Sequence, residues 1–127
     1  MTYSIRNITL EDIGDLRKTA EKEGLLFPKV SPTFIGVYSN KELIAFGGWI
    51  IKGEKAIIKC DYVKPEYRKQ GIGRHMLSTR IGVLRSLGIK KIEANATKLA
   101  LNMHKSAGAR IVKEFKNGIT QVIYENI

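Results

Sequence analysis

One stretch near the middle of the sequence combines the residue types that bind phosphate. It runs Val63-Lys-Pro-Glu-Tyr-Arg-Lys-Gln-Gly-Ile-Gly-Arg-His-Met-Leu77, a GxG pair flanked by basic residues. Two glycines one residue apart let the backbone approach a ligand closely. If a helix begins there, its first N–H groups form an anion site, to which Arg68 and Arg74 add charge. The stretch therefore predicts a pyrophosphate cradle, although the same glycines could equally make only a tight turn.

Two familiar phosphate motifs do not fit this stretch. A P-loop requires Lys and then Ser or Thr after its second glycine, where this sequence has Arg74 and His75. A dinucleotide-binding fold requires a third Gly or Ala where Met76 stands. Glu93 does lie about twenty residues after Gly73, as that motif asks. The short chain and the strands that precede the glycines argue against it.

Alternating and helical patterns surround the glycines on both sides. Apolar spacing predicts helices over about 10–23, from Gly71 or Gly73 to Gly88, and over 97–107. It predicts strands over 3–8, 33–38, 43–51, 56–63, 89–96, 110–115 and 119–125. The strands before and after the middle helix should be parallel, because a helix joins them. The fold class is therefore mixed α/β with a largely antiparallel sheet.

Length and composition limit the number of domains and the class of protein. The 127 residues suit a single domain, residues 1–127, whose 43% apolar content can form a core. The longest apolar run, residues 43–51, is far shorter than the roughly 20 residues that span a bilayer. We therefore expect a cytoplasmic protein without a membrane partner. Cys60 is the sole cysteine, and with two distant histidines it gives no disulfide and no metal site.

The pattern Val63-x-Pro65-x-x-Arg68-x-x-Gly71-x-Gly73 resembles the acetyl-coenzyme A motif of the Gcn5-related N-acetyltransferase (GNAT) family. That family's signature is Arg/Gln-x-x-Gly-x-Gly/Ala, between its fourth strand and third helix, and the predicted element order matches the family from Tyr3 to Glu125. The sequence departs from the family at three landmarks and shortens the first helical region. The usual Asn, Tyr and Phe are replaced by Thr97, His104 and Ala109.

The resemblance implies a site for acetyl-CoA. The N–H groups of residues 69–74 should hold the pyrophosphate, with Arg68 at the Arg/Gln position of the motif. The main chain of Val63 should pair with the pantetheine, and the Asp61 N–H should point at the thioester oxygen, where strands four and five splay apart. The cofactor-binding residues implied are Asp61, Val63, Arg68, Lys69, Gln70, Gly71, Ile72, Gly73 and Arg74.

Acetyl transfer to an amine also needs groups that move protons. A primary ammonium titrates near pH 10, so a base or an ordered water must take its proton, and the leaving thiolate gains from an acid. We expect Glu93 to be the base, since it matches a position where some family members place a catalytic Glu, with Asp61 as the second candidate. His104 is the candidate acid, because it stands where relatives use a Tyr hydroxyl. Glu93 and His104 could equally be plain surface residues.

The charge of the chain exceeds what coenzyme A requires. The formal charge is +10, and the six basic and six acidic residues before Ile51 cancel. The resemblance implies an N-acetyltransferase that moves acetyl from acetyl-CoA to a primary amine of a small molecule, peptide or protein by direct attack in a ternary complex. The alternatives are an amine carried by nucleic acid, such as charged tRNA, or a non-catalytic binding module. A homodimer partner could complete the shortened acceptor side.

Overall fold

A computed structural model describes residues 3–125 of the chain. A single 3₁₀ turn, Pro65–Tyr67, precedes the third helix. The strands and α-helices in chain order are β1 (Tyr3–Ile8), α1 (Leu10–Ile13), α2 (Leu16–Lys22), β2 (Thr33–Ser39), β3 (Glu42–Lys52), β4 (Lys55–Val63), α3 (Ile72–Ser86), β5 (Lys91–Ala96), α4 (Lys98–Ser106), β6 (Arg110–Glu114) and β7 (Thr120–Glu125).

The described strands form one sheet in the order β1-β2-β3-β4-β5-β7-β6. β4 and β5 are parallel, and every other neighbouring pair in this sheet is antiparallel. The parallel pair arises because α3 carries the chain from the end of β4 back to the start of β5. The predicted fold class, a mixed and largely antiparallel sheet with one parallel pair, is confirmed.

Apolar side chains cover both faces of the sheet. On one face, the side chains of α3 that recur at helical spacing, including Met76, Leu77 and Leu84, are fully buried against β2, β3, β4 and β5. On the other face, Ile13 and Ala20 from the first helical region pack with Phe34 and Phe46. The sheet is therefore a layer between helices, and anything that passes between β4 and β5 can reach both faces.

The first helical region differs from the single helix predicted over residues 10–23. Thr9 caps α1 as expected: its Oγ1 accepts from the Asp12 N–H at 3.2 Å, and the Asp12 carboxylate accepts from the Thr9 N–H at 2.8 Å. The helix then ends at Gly14, whose φ of 55° and ψ of −132° are not helical. The prediction of one helix was wrong, because apolar spacing continued across a glycine that breaks the backbone.

Among residues 3–125, no helix has the length and apolar character needed to cross a membrane. The longest, α3, has 15 residues and carries three arginines.

Candidate active site

The parallel strands β4 and β5 separate partway along their length. Their pairing runs from Lys55↔Lys91 to Ile58↔Ala94 and stops there. β4 continues along β3 to Val63, whereas β5 continues along β7 to Ala96. The two strands therefore diverge into a V, which is the splay that the resemblance implied.

A cleft of about 660 Å³ occupies this splay. Its walls come from the far half of β4, the loop of residues 64–71, the first turn of α3, the end of β5 and one side of α4. Most of the predicted coenzyme-binding residues line it, namely Asp61, Val63, Arg68, Lys69, Gly71, Ile72, Gly73 and Arg74. Gln70 is not among the lining residues, because its side chain turns outward to Tyr3 and to the Glu66 carbonyl.

The loop before α3 has the backbone of an anion cradle. Lys69 and Gly71 both have left-handed φ angles, of 63° and 84°, and Gly71 is the N-cap of α3 without a side-chain cap. The first N–H groups of this 15-residue helix therefore remain free to donate hydrogen bonds at its positive end. A Cβ built on Gly73 would lie 3.7 Å from Met103 Sδ and 3.9 Å from Val63 Cγ2, both cleft residues. The bare glycine thus widens the cleft at the helix terminus.

The Arg68 side chain does not extend freely into the cleft. Its Nε donates to the Val63 carbonyl at 2.8 Å, and its Nη2 donates to the Glu23 carboxylate at 2.8 Å. Glu23 also accepts from the Tyr62 hydroxyl, and these two hydrogen bonds lower the pKa of the Glu23 carboxyl. Burial, followed by the bond to Glu23, raises the pKa of Tyr62 to about 12. Arg68 therefore connects the loop of residues 64–71 to the end of α2, a contact that the sequence did not predict.

Val63 keeps a free edge on the splay side. The Lys64 N–H donates to the Ile44 carbonyl of β3 at 2.9 Å. Since successive N–H groups of an extended strand point to opposite edges, the Val63 N–H points away from β3 and into the splay. Its carbonyl is already bonded to Arg68. The N–H is therefore the main-chain group of Val63 that could pair with a ligand.

Cys60 and Asp61 form a β-bulge opposite Gly47. The register of β4 on β3 shifts between the pairs Phe46↔Tyr62 and Gly48↔Lys59, and Cys60 has a φ of 60°. A non-glycine residue in this region costs about 1–3 kcal/mol of backbone strain. The extra residue reverses the alternation, so Ile58 packs with α3 whereas Cys60 packs with the first helical region. Burial raises the pKa of the Cys60 thiol, which disfavours a nucleophilic thiolate.

Asp61 is held by a buried arginine from α3. Its two carboxylate oxygens each accept from the guanidinium of Arg80 at 2.6 Å, and Arg80 is fully buried. Both oxygens are therefore occupied by donors, which does not favour Asp61 as the general base. Asp61 is nevertheless one of the residues that line the cleft.

Glu93, the first candidate for the base, lies on the paired side of the splay. It is opposite Ile57, and its carboxylate is 3.4 Å from Lys55 Nζ and 3.9 Å from Lys91 Nζ. Its neighbours Ala94 and Asn95 line the cleft, but Glu93 does not. The geometry thus matches the plainer interpretation, a carboxylate that balances two lysines.

His104, the candidate acid, is buried in the wall of the cleft. The residue is 4% exposed, and its Nδ1 lies 2.6 Å from the hydroxyl of Tyr124 on β7. The other acceptor for that hydroxyl, the His104 carbonyl, is 3.4 Å away, so the hydroxyl donates best to Nδ1. That arrangement leaves the ring proton on Nε2. Burial lowers the pKa of His104; the charge of Asp61 raises it by less, and the charge of Arg80 lowers it further, so the imidazole is neutral at pH 7.

The lowered pKa of His104 predicts a pH-dependent loss of stability. The unfolded chain binds a proton at His104 near pH 6.5, whereas the folded protein resists it, so stability is full above that pH and falls as the pH drops below it. We expect the unfolding free energy to fall by up to about 1.4 kcal/mol per pH unit between pH 6.5 and 5. Urea unfolding at several pH values measures this slope.

His104→Gln, which cannot titrate, should flatten that slope. His75→Gln is the matched control, because His75 is exposed on α3 and its removal should leave the slope unchanged. The lowered carboxyl pKa values of Glu23 and Glu125 act below about pH 4.5 and so do not enter this window. Equal slopes in the wild type and His104→Gln would contradict the assignment.

The described residues hold no group of three or more His, Cys, Asp or Glu side chains that could bind a metal ion.

A family model described as the acetyltransferase (GNAT) family matches residues 3–109. The chain belongs to this family. Tyr124, the partner of His104, lies beyond the segment that the GNAT model matches. A search of curated protein sequences found no match for this GNAT chain.

Solved structures show the same GNAT fold. The PaiA N-acetyltransferase of Thermoplasma acidophilum, crystallised with coenzyme A, has a TM-score of 0.81 at 17% identity and covers 99% of this chain and 100% of its own. NAA60 of Arabidopsis thaliana, in complex with a bisubstrate analogue, has a TM-score of 0.79 at 14% identity, with 98% of each chain covered. The ribosomal-protein-S18-alanine N-acetyltransferase of Escherichia coli has a TM-score of 0.76 at 18% identity, covering 96% and 91%.

Proposed function

We propose that this GNAT domain is an N-acetyltransferase that moves the acetyl group of acetyl-CoA to a primary amine of a small molecule, peptide or protein. One observation carries the proposal. The cleft joins an anion cradle at the start of α3 to the splay between β4 and β5, which is open toward both faces of the sheet. Coenzyme and acceptor can therefore approach the same point from opposite faces, as direct transfer in a ternary complex requires.

The residues of the cradle suit acetyl-CoA. The N–H groups of residues 69–74 would bind the pyrophosphate, and the charge of Lys69 and Arg74 would add to the helix terminus. The Val63 N–H would donate to the pantetheine arm along the edge of β4. Bound in this way, acetyl-CoA supplies an activated acyl group and a thiolate leaving group.

The residues at the splay have separate tasks. The Asp61 N–H would donate to the thioester oxygen, where negative charge develops as the amine attacks. As the N–C bond forms, the C–S bond breaks and its electron pair stays on sulfur. His104, neutral and with its proton on Nε2, can donate a hydrogen bond to that sulfur, which leaves as the thiolate, and water carries the amine proton away.

The acceptor reaches the splay beside the first helical region. Residues 24–32, between α2 and β2, contain no helix, and Leu26 and Val30 are 85% and 69% exposed there. Leu25 of this segment lines the cleft beside Tyr62 and Cys60. An open rim of this kind suits an acceptor larger than a free amino acid, which favours a peptide or protein amine; an amine carried on tRNA is the alternative.

Release of free thiol from acetyl-CoA tests the function directly. A panel of polyamines, amino acids, peptides with free N-termini and aminoacyl-tRNA is offered with acetyl-CoA, and acetylated product is identified by mass spectrometry. We expect one class of amine to release thiol well above the rate without protein. If acetyl-CoA binds but no amine in the panel is acetylated, the domain is a binding module instead.

A further inference from the structure

Arg80 is the one charged side chain with no exposed surface in the described part of the chain. It projects from α3 to the sheet, where Nη1 donates to the Gly48 carbonyl at 3.0 Å and Nε donates to the Met76 carbonyl at 3.3 Å. Nη1, through its second N–H, and Nη2 form the bidentate pair with the Asp61 carboxylate at 2.6 Å. A guanidinium buried in this way fixes the geometry of its partner, because its donors are planar and rigid.

Gly47 leaves the space that this guanidinium occupies. A Cβ built on Gly47 would lie 2.9 Å from both Cζ and Nη1 of Arg80, closer than real Cβ contacts. Gly47 is the residue of β3 that faces the bulge of Cys60 and Asp61. Arg80 thus touches both strands at the one place where their register shifts.

The bulge decides where the Asp61 backbone points. The Tyr62 N–H lies on the β3 edge, by the same alternation that directs the Val63 N–H into the splay. One residue before Tyr62, the Asp61 N–H therefore lies on the splay edge, as the Val63 N–H does. The left-handed φ of Cys60 persists only if its surroundings enforce it. The ion pair of Arg80 and Asp61 packs over Gly47 next to this residue, and the Cys60 thiol itself donates to the Leu26 carbonyl at 3.6 Å.

We propose that Arg80 is a positioning residue that acts through Asp61: it holds the bulge so that the Asp61 N–H donates to the thioester oxygen. This inference rests on the proposed function. Arg80 itself takes no part in bond making, since each of its three side-chain nitrogens already donates to an acceptor within the protein. Its effect is on the direction of one backbone donor.

Infrared spectroscopy of bound acetyl-CoA tests the proposal without any acceptor. With acetyl-CoA labelled by ¹³C at the thioester carbonyl, we expect the wild type to lower the carbonyl stretching frequency relative to water. Arg80→Lys keeps the charge but loses the planar fork, and Gly47→Ala pushes the guanidinium away. In both variants the frequency should return toward its value in water, while the affinity for coenzyme A stays within about threefold because the cradle is intact.

Turnover, once an acceptor is known, should follow the spectroscopic change. Loss of one well-aimed donor lowers kcat by about 10² to 10³, and we expect the two variants to approach that range with KM for acetyl-CoA nearly constant. Gly36→Ala is the matched control, because Gly36 lies on β2 and not on β3 or β4. A Cβ there would lie 2.7 Å from Leu43 Cδ1 and 2.8 Å from Ile8 Cδ1. This variant should be destabilised in a similar way and keep the wild-type frequency.

The outcomes separate the two proposals. If the wild type does not bind acetyl-CoA, the proposed function fails. If it binds and the carbonyl frequency is lowered equally in the wild type, Arg80→Lys and Gly47→Ala, Arg80 has no positioning role. If one of the variants Arg80→Lys and Gly47→Ala does not fold, the other decides the test. If the carbonyl frequency changes in Gly36→Ala as well, the inference is overturned.

Discussion

Gly73→Val is expected to remove most of the stabilisation that acetyl-CoA gives the wild type. At about a hundredfold above its dissociation constant, a ligand that binds only the folded state stabilises it by about 2.7 kcal/mol. The Cβ of residue 73 would point into the cleft toward Met103 and Val63 at ordinary contact distances. The free protein can therefore accept a Cβ here, whereas the two methyl groups of Val would occupy the cleft beyond it, and the phosphates would lose their closest approach to the start of α3. Thermal unfolding with and without acetyl-CoA measures the difference.

Gly82→Ala is the matched control for this substitution. Gly82 lies on the same helix, and a Cβ there meets nothing within 4 Å. The variant should keep the full ligand-induced shift, whereas Gly73→Ala should fall between the control and Gly73→Val. A full shift in Gly73→Val would place the coenzyme elsewhere, and a shift with NAD in place of acetyl-CoA would refute the cofactor assignment.

The sequence predicted the sheet and the glycine-containing turn into α3 because both are local patterns. β-Branched and aromatic residues mark the strands, the helix over residues 72–86 makes its flanking strands parallel, and Gly71 is required by a φ of 84° at the N-cap. Thr97 caps α4 through the Ala100 N–H, as predicted. These features depend on neighbours in the chain, so spacing alone reveals them.

The contacts that shape the site are long-range and were not predictable in the same way. Arg80 looks in sequence like one more surplus basic residue, and only the docking of α3 on β3 shows that it is buried with Asp61. Glu23 reaches Arg68 across 45 positions of the chain. No local pattern signals either pair. Buried charge on a helix face opposite a Gly-Gly pair is the signal that could have found the first.

The proton-transfer candidates show the same limit. Glu93 was placed correctly on β5. However, β4 and β5 separate only one residue later, so the Glu93 carboxylate lies on the paired side, beside Lys55 and Lys91. His104 does line the cleft, yet its contact with Tyr124 depends on β7 returning beside β5. Their roles in turnover stay predictions.

Asp61→Ala is expected to destabilise the protein more than Arg80→Met does. Removing one partner of a buried ion pair costs about 3–5 kcal/mol when the other charge is left without water. Arg80 is fully buried, so Asp61→Ala strands a guanidinium in the core. Asp61 is 33% exposed at the cleft, so in Arg80→Met its carboxylate keeps part of its hydration, and the cost should be smaller.

The double variant Asp61→Ala/Arg80→Met tests the cause of that asymmetry. With both charges gone, no buried group lacks a partner, and Met fills much of the space of Arg80 beside Leu77 and Ile81. We expect the double variant to be more stable than Asp61→Ala alone, because replacing a buried pair by apolar groups is often nearly neutral. Urea unfolding of the four proteins at about pH 7.5 gives the coupling free energy. Additive effects would show that the pair is solvated, and a solvated pair could not hold the Cys60 backbone in its left-handed conformation. Equal losses in the two single variants would contradict the expected asymmetry.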